Sequence, residues 1–294
     1  MSAAAPAEFR WPDGRRAAAC FTFDVDAESP VLFDHPEAAG WLDVMTHQAY
    51  GPRTGVPRLL RLLDAAAIRA TFFVPGWVAE RWPGTIRSIR DAGHEIGHHG
   101  YLHESSRGVT AELEEERLLR GLEALDAVAG VRPVGYRAPM WEASVGLPRI
   151  LARHGFGYDS SLMDADRPYR LAVDHSSPDG PSIVELPIHW ALDDWEAYAY
   201  LPGITGSGWI ASPAELLERW TLELEALAAD GGLFLLTNHP FLSGRASRAA
   251  ALATLVDRAR AMDGVWIATC EEIAEWTASL GLPAVVHRPA LPPG

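Results

Sequence analysis

The chain has 294 residues, a formal net charge of −14 and 48% hydrophobic residues. The acidic balance excludes nucleic acid and anionic membrane surfaces as partners, since both demand basic patches. A chain of this length and apolar content can bury a large core without a second domain, so residues 1–294 are expected to form one domain with its core over about residues 17–280. No apolar run approaches the ~18 residues of a membrane span. The stretch MSAAAPAEFRWPDGRR lacks the basic-then-apolar order of a signal peptide, which predicts a cytoplasmic protein.

The first predicted strand, Ala18–Phe23, runs into Phe23-Asp24-Val25-Asp26-Ala27-Glu28. Two neighbouring carboxylates cannot both be free anions at low cost. One bound to a cation and the other held by an arginine would solve this. A long loop over Ala27–Gly55 follows, then a helix over Val56–Ala67, a strand over Ala70–Val74 and a helix over Val78–Ala92. The third strand, His94–Gly97, opens onto His98-His99-Gly100-Tyr101-Leu102-His103-Glu104. Both His94/His98 and His99/His103 are spaced by four, but on a strand such a pair lies roughly 13 Å apart at ~3.3 Å per residue. The spacing therefore selects His99 and His103, with Gly100 marking a turn into helix from one face of which both imidazoles project. His94 is left as a structural or supporting group. Two histidines and one carboxylate with open positions form the ligand set of a catalytic zinc or similar divalent ion.

A helix over Ala111–Ala129 leads to a strand over Val134–Arg137, followed by Ala138-Pro139-Met140-Trp141. Arg137 is the natural partner for the second carboxylate. A helix over Val145–His154, a strand over Tyr158–Ser160 and a second long loop, Ser161–Ser182, precede the sixth strand, Ile183–His189, and then Leu192-Asp193-Asp194-Trp195. Ser212-Pro213-Ala214-Glu215 caps a helix over Pro213–Ala229. The strand Leu233–Asn238 delivers His239, a candidate general acid for a leaving nitrogen. A helix over Arg245–Ala261, a strand over Val265–Thr269, a helix over Glu271–Leu280 and an extended Pro-rich tail complete the chain. Cys20 and Cys270 sit in apolar strand-like runs and read as buried inert thiols.

Strand–helix alternation repeated this often predicts a parallel sheet closed into a barrel, with catalytic groups at the C-terminal strand ends. The long loops together with Trp41, Trp77, Trp141, Trp190, Trp195 and Trp209 predict a closed aromatic pocket sized for a small ring.

Four stretches in order resemble the polysaccharide deacetylase superfamily, the NodB-homology enzymes of carbohydrate esterase family four. They are Thr22-Phe23-Asp24-Val25-Asp26, His99 through His103, Arg137-Ala138-Pro139, and Leu235 through His239. Phe23–Glu28, His99–Glu104, Leu192–Trp195 and His239–Arg248 look like the branch of peptidoglycan-deacetylase-like proteins, cyclic imidases and allantoinases. The resemblance implies a deformed (β/α) barrel of about seven parallel strands and a homotetramer. It implies Asp24 as general base oriented by Arg137, a metal held by Asp26, His99 and His103, and His239 as general acid. The Asp-Val-Asp spacing departs from the family's adjacent pair and leaves open which carboxylate is base and which is ligand. Glu28, Trp141, Asp193, Asp194 and Trp195 are expected on the substrate side, with Asp193 or Asp194 also placed to tune His239. Zn²⁺ fits this ligand set, and Co²⁺, Ni²⁺ or Fe²⁺ fit it too.

The expected chemistry is metal-dependent hydrolysis of a non-peptide C–N bond, by preference ring-opening of a small cyclic amide or imide. The alternatives are N-deacetylation of an N-acetylated sugar or peptidoglycan-type glycan, and, in another class, a non-catalytic metabolite- or carbohydrate-binding barrel.

Overall fold

The computed structural model describes residues 8–174, 177–204 and 209–288. Among them ten strands form one sheet: β1 (Ala17–Asp24), β2 (Thr71–Val74), β3 (Glu95–His98), β4 (Gly135–Tyr136), β5 (Tyr158–Asp159), β6 (Tyr169–Ala172), β7 (Ser182–Glu185), β8 (Leu233–Asn238), β9 (Val265–Ile267) and β10 (Ala284–Val285). The order is β10-β6-β7-β5-β4-β3-β2-β1-β8, with β9 also on β1. From β8 through β1 to β7 the neighbours are parallel, which makes a seven-stranded parallel array. Beyond β7, β6 runs antiparallel to it, and β10 runs parallel to β6, so these two strands run the other way.

β1 is the axis of this array. It pairs with β8 from Ala18 to Phe23 along one edge. Along the other, β9 takes Ala17–Ala19 and β2 takes Thr22–Asp24. All eight residues of β1 are buried, as expected for a parallel strand covered on both faces. The chain beyond β7 then reaches the free edge of β8. Asp193 bridges Thr237 in parallel register, and the Asp194 N–H donates to the Thr237 carbonyl at 3.2 Å. This curls the sheet into the deformed barrel that the sequence implies.

The helices are α1 (Ser29–Asp34), α2 (Leu42–Tyr50), α3 (Val56–Ala66), α4 (Gly76–Arg81), α5 (Pro83–Asp91), α6 (Ala111–Ala129), α7 (Leu147–Arg153), α8 (Trp195–Tyr198), α9 (Pro213–Asp230), α10 (Ala246–Ala261) and α11 (Cys270–Ser279). Three expectations need correction. The stretch Ala27–Gly55 is not a loop: it folds into α1, a 3₁₀ turn at Pro36–Gly40, α2 and a π turn at Gly51–Gly55. Pro30, Pro36 and Pro52 sit in first turns where proline is tolerated. The helix over Val78–Ala92 splits at Trp82, because Pro83 starts a new helix and cannot continue the old one. The second long loop contains β6, and Pro187 follows soon after β7 ends at Glu185.

No described helix is long and apolar enough to cross a membrane. Cys20 and Cys270 are buried and free, with Sγ atoms 3.4 Å apart across β1 and α11. Nearby, Glu95 at the start of β3 is held by the Thr71 hydroxyl at 2.6 Å, the Glu271 N–H at 3.0 Å and the Tyr158 hydroxyl. Burial outweighs these donors and pushes its carboxyl from 4.5 up to about 7.

A raised carboxyl favours the folded state only while it is protonated. Glu95 is therefore expected to make stability fall as pH rises from 4.5 to about 7. The total change is on the order of 3 kcal/mol. Urea denaturation at stepped pH should show this slope in the parent protein and its loss in Glu95→Gln.

Candidate metal and hydrolytic site

The strand ends converge on one pocket. Asp24 is the last residue of β1, and the chain stays extended for two residues more, with the Val25 N–H on the Phe73 carbonyl at 2.8 Å. Ala27, at φ 47°, then turns the chain. The Ser29 hydroxyl and N–H both donate back to the Asp26 carbonyl, at 2.7 and 3.0 Å. Asp24 and Asp26 thus present their carboxylates on one side.

Past β3 the chain does not become helical, contrary to expectation; α6 begins only at Ala111. His99 and His103 meet through two left-handed residues instead, Gly100 at φ 72° and His103 itself at φ 58°. Their rings lie 5.0 Å apart. Gly100 is required here: a side chain would also press on Pro139 at 2.9 Å. His98 fixes the turn from outside, accepting the Gly100 N–H at 3.1 Å and meeting the Leu118 carbonyl at 3.0 Å. His94 lies at the other end of β3, where its Nδ1 accepts the Ala70 N–H.

His99 donates from Nδ1 to the Arg137 carbonyl at 2.7 Å, which leaves the Nε2 lone pair facing the pocket. Nε2 stands 3.5 Å from Asp26 Oδ1 and 3.8 Å from Asp24 Oδ2. His103 Nε2 stands 3.5 Å from Asp26 Oδ2. Both Asp26 oxygens are buried without a hydrogen-bond partner. Burial pushes the Asp26 carboxyl up to about 7, holds the His99 imidazole down at about 3 and drives His103 well below its usual range. Two neutral imidazoles and a carboxylate with vacant oxygens fit a divalent cation, and their ligand atoms lie within 4.8 Å of one another.

Asp24 has a different partner. Arg137, fully buried, donates from Nη1 to Asp24 Oδ1 and to the Thr22 hydroxyl, each at 2.8 Å. Its Nε and Nη2 are taken by the Ser160 carbonyl and hydroxyl, and its guanidinium lies over the Phe73 ring at 4.1 Å.

His239 follows β8, and the Asp194 carboxylate holds it from behind. Asp194 accepts the His239 backbone N–H at 3.0 and 3.1 Å, His239 Nδ1 at 2.7 Å and the Ser243 hydroxyl. Burial lowers the His239 imidazole, but Asp193, Asp194 and Asp26 more than offset it and hold it at about 10. Its Nε2 lies 3.4 Å from Asp26 Oδ2. The loop carrying it fits only against a glycine, since a side chain at Gly55 would meet the Pro240 carbonyl at 2.1 Å.

Above these groups is a cavity of about 120 Å³. Trp141, Trp190, Trp195 and Met140 wall it, with the Trp141 and Trp190 rings 4.4 Å apart. Asp193 and Glu196 complete the lining. Glu28, expected on the substrate side, does not line it; its carboxylate is buried against the Trp82 indole N–H at 2.8 Å. Asp194 lies behind His239 rather than in the cavity. Trp41, Trp77 and Trp209 lie outside it as well. Sequence reasoning missed Glu196 and Ser243. Glu196 looks like any exposed charge on a short helix, whereas Ser243 sits in the His239–Arg248 stretch and becomes meaningful only once Asp194 is seen beside it.

The family model for polysaccharide deacetylase matches residues 48–158. A peptidoglycan deacetylase from Helicobacter pylori is 31% identical over 272 residues, covering 82% of this chain and 93% of that one. Among solved structures, a Mycobacterium smegmatis protein named for polysaccharide deacetylases is 54% identical with a TM-score of 0.93, covering 99% of this chain and all of its own. An allantoinase is 25% identical with a TM-score of 0.79, covering 92% of this chain and 93% of its own.

Removing Arg137 would strand Asp24 as an unpaired buried charge. Arg137→Ala is expected to cost about 3–5 kcal/mol in urea denaturation at neutral pH, and clearly less in an Asp24→Asn background.

Proposed function

The chain belongs to the polysaccharide deacetylase family, whose members are hydrolases of C–N bonds, and from that premise we propose that it opens a small cyclic amide or imide at the Asp26–His99–His103 centre. The observation that carries this reading is the cavity over the centre, about 120 Å³ and walled by Trp141, Trp190 and Trp195. A compact ring suits such an aromatic-walled space, whereas a glycan polymer calls for an open groove. The similarity to an allantoinase over 92% of the chain supports the same reading.

Asp26, His99 and His103 would hold the metal, Zn²⁺ first, with Co²⁺, Ni²⁺ or Fe²⁺ also suited to these donors. When bound, such an ion polarises a carbonyl and acidifies water. Asp24, paired with and oriented by Arg137, takes the proton of the attacking water. His239 carries a proton at Nε2, backed by Asp194, and gives it to the leaving nitrogen as the C–N bond breaks. Trp141, Trp190 and Trp195 orient the ring and exclude bulk water.

A second reading, N-deacetylation of an acetylated amino sugar, is favoured by the resemblance to the Helicobacter pylori peptidoglycan deacetylase over 93% of that protein. It uses the same base, centre and acid, and differs only in what the tryptophan walls admit. Turnover of succinimide- and hydantoin-like rings, measured against N-acetylglucosamine oligomers, separates the two. Activity confined to the oligomers would overturn the ring-opening reading.

Metal analysis should find Asp26→Ala and His103→Ala depleted. His239→Ala should keep its metal and lose about 10²–10⁴-fold in kcat. Full metal content in a His99→Ala/His103→Ala double variant would overturn the ligand set.

A further inference from the structure

Behind the pocket wall, on the adjacent parallel strands β5 and β7, Asp159 and Glu185 stand directly in register and are buried. Glu185 Oε1 accepts the N–H groups of Ser161 and Leu162, at 3.0 and 2.8 Å. Asp159 Oδ1 accepts the Ser161 hydroxyl at 2.7 Å. The remaining oxygens, Asp159 Oδ2 and Glu185 Oε2, are buried with no hydrogen-bond donor.

Nothing in the catalytic sequence uses this pair, but its hydrogen bonds lead into the site. The Ser161 hydroxyl oxygen accepts the Ala138 N–H at 2.9 Å. That N–H belongs to the same peptide unit as the Arg137 carbonyl, which accepts His99 Nδ1 at 2.7 Å. The peptide is planar and trans, so its N–H and C=O point in opposite directions. Anchoring the N–H on Ser161 therefore aims the carbonyl at His99. A carbonyl can only accept, so it fixes the hydrogen on Nδ1 and leaves the Nε2 lone pair toward Asp26. The adjacent Ser160 receives the other face of Arg137.

The geometry points to Asp159, Glu185 and Ser161 as positioning residues that set the tautomer and orientation of His99 through the Arg137–Ala138 peptide. This rests on the reading of His99 as a metal ligand. It adds three residues from outside the pocket to the determinants of metal affinity. The Asp159–Glu185 pair works by geometry, because Ser161 must donate to Asp159 for its oxygen to face Ala138.

The test uses the full-length protein and Zn²⁺ alone, with affinity read by competition with a chromophoric chelator and the His99 ring nitrogens followed by NMR. Ser161→Ala and Asp159→Ala are each expected to weaken Zn²⁺ binding about tenfold, as loss of a ligand's hydrogen-bond partner typically does. The His99 Nδ1–H signal should broaden or shift in both. Asp159→Asn keeps the shape of the side chain and an acceptor for the Ser161 hydroxyl. It should stay within about twofold of the parent, a rescue that general loosening of β5 would not give. Should Ser161→Ala fail to fold, the contrast between Asp159→Asn and Asp159→Ala decides alone. Parent-like affinity and an unmoved His99 signal in the alanine variants, with His99→Ala losing Zn²⁺, would overturn the positioning role. Retention of Zn²⁺ by His99→Ala would instead overturn the metal centre.

Discussion

Asp26 is buried with no hydrogen-bond donor on either oxygen, and the surrounding polar groups are arranged around that deficit. An ionised carboxylate in a low-dielectric interior is costly unless something positive faces it. Arg137, the one fully buried arginine among the described residues, does not; it goes to Asp24. What faces Asp26 is a set of three imidazole Nε2 atoms, at 3.4 to 3.5 Å. The two carboxylates are thus given separate fates. One is neutralised by a fixed guanidinium and stays available to accept a proton. The other is left under-coordinated, in the state a cation would complete.

The barrel makes this separation possible because it brings together groups from distant parts of the chain at one rim. β1 and the two residues after it supply both carboxylates, with β2 and β3 on one side and β8 on the other. The closure of the curl and the placement of the acid are the same event. The Asp193–Asp194 segment reaches β8 through Thr237, and that contact sets the Asp194 carboxylate against both the backbone and the ring of His239. A change that loosened the closure would release the histidine as well.

The strands and their polar ends were legible from sequence because apolar runs stop abruptly at polar residues. Leu233–Asn238 with His239 is the clearest case. What spacing could not supply was conformation. The four-residue interval between His99 and His103 suggested a helix, but the residues meet through left-handed backbone, and the interval is shared by both geometries. The stretch Ala27–Gly55 read as a long loop, yet its prolines occupy helix first turns, where a missing N–H costs nothing. Glu28 shared the run of acids that gave Asp24 and Asp26, but the turn at Ala27 carries it round to Trp82. Composition could count tryptophans without saying which three would share a wall.

His99 and His239 show how one side-chain type can carry two roles within a single pocket. Both rings are buried and both bring Nε2 within 3.5 Å of Asp26. Burial alone would make each neutral. The difference lies behind the ring. His99 donates from Nδ1 to a peptide carbonyl, a neutral partner too weak to offset desolvation, and it stays uncharged at about 3. His239 donates from Nδ1 to a carboxylate, with a second acid 3.6 Å away, and is held protonated at about 10. A lone pair at one Nε2 and a proton at the other follow from that choice of partner. Exchanging the partners would leave every ring in place and yet exchange ligand for acid.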